Sequence, residues 1–81
     1  MELNIDRNNM VAGLKQSLRV IRDGRAAEVF LALDAQTGLR TSVMQQCSQA
    51  GITPTEVPTM AQLGKACGIN VGAAVAVSLL K

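Results

Sequence analysis

Apolar positions in three parts of the chain recur every three or four residues, the spacing that places side chains on one face of an α-helix. The first predicted helix spans residues 13–24. The second runs from Thr37 or Gly38 to Ala50, and the third begins at Thr59. The predicted apolar stripes are Leu14, Leu18 and Ile21; Leu39, Val43, Cys47 and Ala50; and Met60, Leu63 and Cys67.

The ends of these helices carry recognisable signals. Thr59 and Gln62 have the spacing of a capping box, in which each side chain bonds the backbone N–H of the other residue. Each predicted helix runs into a glycine, and glycine readily adopts the left-handed conformation that ends a helix. These glycines are Gly24, Gly51 and Gly68.

Continuous apolar runs separate the helices and predict strands. Residues 29–33 and 73–80 predict two buried strands, and residues 10–12 predict a short one. Residues 53–57 contain a proline, which restricts them to a short edge strand. A weaker helix is predicted over residues 2–8.

Strands that alternate with helices predict an α/β fold, in which helices pack on a central sheet. We expect about four strands of mixed direction, because some of the connections are short. The 81 residues make one small domain, and 48% of them are hydrophobic, which favours a folded globule. The apolar segment 66–80 is shorter than the roughly 20 residues needed to cross a bilayer, so we expect no membrane span.

The composition excludes several kinds of chemistry. Histidine, tryptophan and tyrosine are absent, and Phe30 is the only aromatic residue. The chain therefore lacks the commonest general base and metal ligand, and it lacks rings that stack on single-stranded bases. Residues 63–68, LGKACG, approach a phosphate loop but lack its first glycine and the Ser or Thr after the lysine. We expect no catalysis, no metal and no cofactor.

The cysteines fit the same expectation. Cys47 and Cys67 lie twenty residues apart with no ligand residues beside them, which argues against a zinc site. The N-terminal residues are polar and show no signal peptide, so we expect a cytoplasmic protein with reduced thiols. We interpret both cysteines as small buried apolar residues. A redox or small-ligand enzyme would require one of them to be reactive.

Positive charge is concentrated in the first predicted helix. Net charge is only +2, yet four cations fall within eleven residues against a single acid: Lys15, Arg19, Arg22 and Arg25. A helix N-terminus already carries partial positive charge and free N–H groups, which suit an anion such as phosphate. Gln16 can donate to and accept from a base edge, and Gly13 allows a backbone to approach closely. A basic face that is merely solvated is the alternative.

Two segments, residues 13–19 and residues 63–77, carry motifs found together in one family. They resemble the kink-turn RNA-binding ribosomal proteins of the L7Ae family and its L30e relatives. Residues 13–19, GLKQSLR, are similar to that family's Gly-x-(Asn/Lys)-(Glu/Gln)-x-x-Lys helix. Residues 63–77, LGKACGINVGAAVAV, are similar to its Leu-Gly-x-Ala-x-Gly loop and final strand. The resemblance covers residues 9–80, and the Lys-Gln pair is typical of the bacterial branch.

The resemblance implies a three-layer α-β-α sandwich that binds RNA kinks containing tandem sheared G·A pairs. The start of the first helix would enter the RNA groove, and the loop before the last strand would pack on extruded nucleotides. The residues that would contact RNA are Gly13, Leu14, Lys15, Gln16, Arg19, Arg22, Ile69, Asn70 and Val71. Arg19 stands where the family commonly has Lys, and Asn70 where it commonly has an acid, so the affinity is open.

The resulting hypothesis is a monomeric, non-enzymatic protein that stabilises kink-turn RNA, in the cytoplasm or on the ribosome. Its partner would be ribosomal or another non-coding RNA, and neither DNA nor a membrane. The alternative is a protein–protein adaptor on the same fold, which would use the apolar loop 69–71.

Overall fold

The structure is a computed structural model that describes residues 9–80. Four strands and three helices follow one another in this part of the chain. They are β1 (Met10–Ala12), α1 (Leu14–Arg22), β2 (Ala26–Ala32), α2 (Thr37–Ala50), β3 (Thr55–Val57), α3 (Met60–Ala66) and β4 (Val75–Leu79). The predicted helix over residues 2–8 lies outside the described residues.

The strands form one mixed sheet in the order β1-β4-β2-β3. β4 is antiparallel to both of its neighbours, and β2 is parallel to β3. The prediction of about four strands in mixed directions is therefore confirmed. β3 lies at the edge of the sheet, where the preceding Pro54 removes no ladder hydrogen bond.

The helices cover both faces of this sheet, which confirms the α-β-α sandwich. On one face, α1 and α2 pack on Val29, Leu31, Val75 and Val77. On the other face, the sheet contributes a second buried cluster with α3, whose central side chain is Leu63. Because successive side chains of a strand point to opposite faces, the run of apolar residues in β2 and β4 feeds both cores.

A bulge in β2 changes which face its first residue occupies. Ala26 pairs with Leu79 and Glu28 with Ser78, so Ala27 is an extra residue in the ladder. Ala26 therefore shares a face with Val29 rather than with Phe30. Apolar periodicity does not reveal this extension, and the strand begins three residues earlier than predicted.

All three helices end as their glycines predict. Gly24, Gly51 and Gly68 have φ between 72° and 78°. At each end the glycine N–H and the next N–H donate to carbonyls of the last turn, the arrangement called a Schellman motif. At the other end of α3, the Thr59 hydroxyl accepts a hydrogen bond from the Gln62 N–H at 3.1 Å. This is one half of the predicted capping box.

Three predicted core positions are wrong or only partly right. Leu33 lies beyond the end of β2 and is 42% exposed, because the chain turns there towards α2. Ala50 is exposed, since it lies in the last turn of α2. Cys67 is half-buried beside the second cluster, whereas Cys47 is buried as predicted.

The buried side chain of Ser17 has no partner for its polar atom. Ser17 is 0% exposed, and its hydroxyl makes no hydrogen bond in the part of the chain that the structure describes. It lies on the face of α1 that meets the sheet, between the half-buried Leu14 and Leu18. A buried hydroxyl without a partner is destabilising, because its desolvation is not compensated.

We expect Ser17→Ala to raise the free energy of unfolding by about 1 kcal/mol, because it removes the unpaired hydroxyl and improves helix propensity. Urea unfolding monitored by circular dichroism measures this. Ser42→Ala is the matched control, since the Ser42 hydroxyl donates to the Gly38 carbonyl at 3.1 Å. It gains the same propensity but loses a hydrogen bond. Equal stabilisation of both variants would show that the Ser17 hydroxyl is not an unpaired buried group.

Burial raises the pKa of the Cys47 thiol. The unfolded thiol ionises first as the pH rises, so folding stability is fully present below the ordinary thiol range and falls above it. We expect unfolding free energy measured between about pH 7 and pH 10 to decline more steeply for the wild type than for Cys47→Ala. Identical slopes would show that Cys47 ionises freely in the folded state.

Candidate nucleic-acid interface

All three described helices begin at the same end of the sheet. β1, β2 and β3 point in one direction, since β1 and β2 are both antiparallel to β4 and β3 is parallel to β2. Each helix follows the carboxyl end of one of these strands. The positive ends of three helix dipoles therefore converge on one surface.

The start of α1 is built around a glycine in an unusual conformation. Gly13 has φ 105° and ψ 149°, and a Cβ atom there would face open space. Its N–H donates to the Val75 carbonyl at 3.0 Å, and its carbonyl accepts from the Ser17 N–H at 3.0 Å. No side chain caps this helix, so the N–H groups of residues 14–16 are open to an external acceptor.

The predicted RNA-contacting side chains of α1 are mostly free to reach a partner. Lys15, Gln16, Arg19 and Arg22 are exposed, and spacing places them on the face turned away from the sheet. Leu14 differs, because it is half-buried against the core and offers a partner only part of its surface. The first turn of α1 contains no acid.

The three helix starts differ in how their charge is balanced. The Asp34 carboxylate accepts a hydrogen bond from the Met60 N–H at 2.8 Å, so the start of α3 already has an anion. The starts of α1 and α2 have neither an acidic residue nor a side-chain cap. The first turn of α2 instead carries Arg40, whose Nε is buried without a hydrogen-bond partner among the described residues. The helix starts without an acidic or side-chain partner are therefore those of α1 and α2.

The loop that carries Ile69, Asn70 and Val71 is held tightly against α3. A Cβ on Gly64 would clash with the Val71 carbonyl, so helix and loop touch backbone to backbone. The Ile69 N–H donates to the Gly64 carbonyl at 3.1 Å. The loop therefore has a fixed course, although Val71 is 70% exposed and Ile69 39% exposed. In the sequence, Gly64 is visible only as part of a motif, and nothing there signals this contact with the loop.

The structure brings the start of α1 and this loop to the same end of the sheet. The loop leads into β4 at Val75, whose carbonyl holds the Gly13 N–H. Val75 lies four residues after Val71, a reach of at most about 14 Å. The two predicted contact segments thus lie at the same end of the sheet, the cationic one on α1 and the apolar one on the loop.

Other kinds of site find little support in residues 9–80. No group of three or more His, Cys, Asp or Glu side chains there could hold a metal ion. No described helix is long and apolar enough to span a membrane. The Cys47 thiol is buried and its pKa is raised, which is the opposite of an activated nucleophile.

Comparison with known proteins identifies the family. The sequence model of the Ribosomal protein L7Ae/L30e/S12e/Gadd45 family matches residues 2–81, and the chain belongs to this family. An RNA-binding protein of Geobacillus thermodenitrificans is 44% identical over 72 residues, covering 89% of this chain and 87% of its own. RNA-binding protein YbxF of Geobacillus stearothermophilus is 42% identical over 72 residues, with the same coverage.

More distant relatives agree with these. An RNA-binding protein of Caldanaerobacter subterraneus is 36% identical over 70 residues, covering 86% of this chain and 85% of its own. The names of these relatives describe RNA-binding proteins rather than enzymes, in agreement with the expectation of a non-enzymatic protein. A solved structure from Bacillus halodurans shares the fold, with a TM-score of 0.80 and 21% identity over 88% of this chain and 71% of that one.

We expect Gly64→Ala to lower the free energy of unfolding by about 1–3 kcal/mol, because the added methyl group overpacks the contact with the Val71 carbonyl. Chemical unfolding measures the loss, and amide chemical shifts of residues 69–73 should report a displaced loop. Gly38→Ala is the control, since nothing lies near its Cβ position and alanine favours the helix. Unchanged shifts in Gly64→Ala would contradict the contact.

Proposed function

We propose that this protein binds RNA and that its target is the kink-turn. The observation that carries the proposal is the junction of an uncapped, acid-free helix start with a rigid, exposed apolar loop at one end of the sheet. The family membership and the RNA-binding names of bacterial relatives support the same conclusion.

The helix start suits the bent part of such an RNA. Free N–H groups, Lys15 and Arg19 would neutralise backbone phosphates that crowd together at a kink. Gln16 would hydrogen-bond to the edges of the sheared G·A bases, and Gly13 would let the RNA backbone approach the helix. Ile69 and Val71 would cover nucleotides that the kink extrudes, an apolar contact that needs no aromatic ring.

The mechanism is a population shift. A kink-turn RNA exchanges between extended and bent forms, and a protein that contacts only the bent form draws the RNA towards it. The fixed course of the loop favours this, because a preorganised surface spends little entropy on binding. No covalent chemistry is required, in keeping with the non-enzymatic names of the relatives.

In the cell, we propose that the protein acts as a monomer on structured non-coding RNA in the cytoplasm, in the manner of a ribosomal protein. One face of the fold is enough to contact a single kink, so no second copy is needed. Arg19 would hold phosphate in a forked geometry that lysine cannot match, so its contacts should differ from those of lysine at this position.

A protein–protein adaptor is the second candidate, favoured by the 70% exposure of Val71. An apolar interface on residues 69–71 would bind without strong dependence on salt. Phosphate contacts, in contrast, weaken steeply as salt rises, because binding releases counterions. The salt dependence of binding therefore separates the two candidates.

We expect Lys15→Ala and Arg19→Ala each to weaken kink-turn binding by about 1–3 kcal/mol, because each removes a direct contact to RNA. Isothermal calorimetry or filter binding measures the change. Arg25→Ala is the matched control: it removes the same charge from an exposed position in the turn after α1, outside the proposed interface. Wild-type affinity in both helix variants would show that the helix start does not bind RNA.

The specificity test uses two RNAs at two salt concentrations. One is a kink-turn, and the other replaces its G·A pairs with Watson–Crick pairs. We expect tight, salt-dependent binding to the first and weak binding to the second. Equal weak binding to both RNAs would show that α1 presents only a non-specific basic face, and it would favour the protein–protein adaptor.

A further inference from the structure

A polar groove runs between the last turns of α1 and α2, at the opposite end of α1 from the proposed kink-binding surface. Its volume is about 200 Å³. Ile21 and Ala50 line it, together with three polar side chains, Arg22, Gln46 and Gln49. Arg22 and Gln49 are exposed and Gln46 is half-buried, so the polar atoms are within reach of a partner.

The two helices that form this groove contain no acidic residue, and the acid nearest to it in sequence is Asp23, the C-cap of α1 directly after Arg22. α1 has nine residues and α2 fourteen, and neither helix contains Asp or Glu. The cations of the two helices are Lys15, Arg19, Arg22 and Arg40. Exposed helices usually mix both signs of charge, so a pair of helices with cations alone suits a polyanion.

Helix dipoles explain only part of this arrangement. Arg22 is in the last turn of α1, where a cation is favourable in the free protein. The dipole does not account for two glutamines facing Arg22 across the groove. Among the described residues, no group hydrogen-bonds to the side-chain amide of Gln46 or of Gln49. A guanidinium and two amides offer several N–H donors to one tetrahedral anion.

We propose that the RNA interface continues along α1 into this groove, where Arg22, Gln46 and Gln49 bind a backbone phosphate of a stem that leads away from the kink. This proposal rests on the proposed function, because it extends the same RNA beyond the helix start. It adds α2 to the interface and gives the protein a second phosphate-binding site on the same RNA.

The dimensions of α1 determine where this phosphate lies. Lys15 and Arg22 are seven residues apart, so they lie about 10 Å apart along the helix axis. Successive phosphates of one RNA strand lie closer together than this, so the groove should receive a phosphate a few nucleotides from the one nearest Lys15.

The experiment combines protein variants with RNAs in which single phosphates are neutral. Each phosphate of both stems of a kink-turn is replaced in turn by methylphosphonate, and binding is measured with the wild type, R22Q and R25Q. We expect R22Q to lose about tenfold in affinity for unmodified RNA, and to lose nothing further when the groove phosphate is neutral. Its salt dependence should also fall by about one phosphate contact.

R25Q is the matched control, because it removes the same charge three residues away, outside the groove. It should weaken binding by less than about twofold and by the same factor for every RNA. Thermal unfolding confirms that the variants are folded. Gln46→Ala, measured in the same way, should be coupled to the same phosphate as R22Q.

The outcomes separate this proposal from the broader one. If R22Q weakens binding by one constant factor for every substituted RNA, or if R25Q shows the same pattern as R22Q, the groove site is wrong. Kink-turn recognition itself is judged from the wild type alone. It fails if the wild type does not distinguish the kink-turn from the copy without G·A pairs.

Discussion

The backbone hydrogen bond from the Gly13 N–H to the Val75 carbonyl ties the start of α1 to the start of the inner strand β4. It requires that the chain turn sharply after β1, which Gly13 permits with φ 105°. It also fixes where the loop before β4 enters the sheet. Two segments more than fifty residues apart in sequence thereby form one surface, and neither could be moved without the other.

That surface has an electrostatic cost in the free protein. Lys15 lies in the first turn of α1, where a cation is unfavourable by roughly 0.3–1 kcal/mol. The fold could have neutralised this end, since Asp34 does so for α3 through the Met60 N–H. The contrast between neighbouring helix starts indicates the proposed anion-binding surface more sharply than net charge does, because a charge of +2 by itself indicates little.

Much of the architecture follows from local patterns. Apolar periodicity and the three terminal glycines predicted the helices, because helix ends depend on residues that are close in sequence. The start of β2 was missed because a bulge at Ala27 depends on pairing with β4. Ser17 was missed for a related reason: a small polar residue inside an apolar stripe carries no information about its burial.

The candidate site also has features that depend on local sequence and features that depend on the packing of distant segments. The exposure of Lys15, Gln16 and Arg19 follows from the sequence, because polarity and helical spacing are local properties, and their contact with RNA stays a prediction. Gly64 and the groove around Gln46 could not, since each depends on how a distant segment packs against it. The motif containing Gly64 was visible in the sequence, but its contact with the Val71 carbonyl becomes apparent only when the loop is folded back on α3.

The near absence of aromatic residues constrains how such a surface can recognise RNA. Phe30 is the only aromatic residue in the sequence and is buried, so bases cannot be captured by stacking on a ring. The deep, narrow major groove of regular A-form RNA does not admit side chains, and an α-helix with its side chains is about 10–12 Å wide. A helix start can therefore read base edges only where the RNA is already distorted. The geometry of α1 and the close packing of the loop on α3 thus suit the proposed bent target better than a straight duplex, and shape rather than stacking would supply the selectivity.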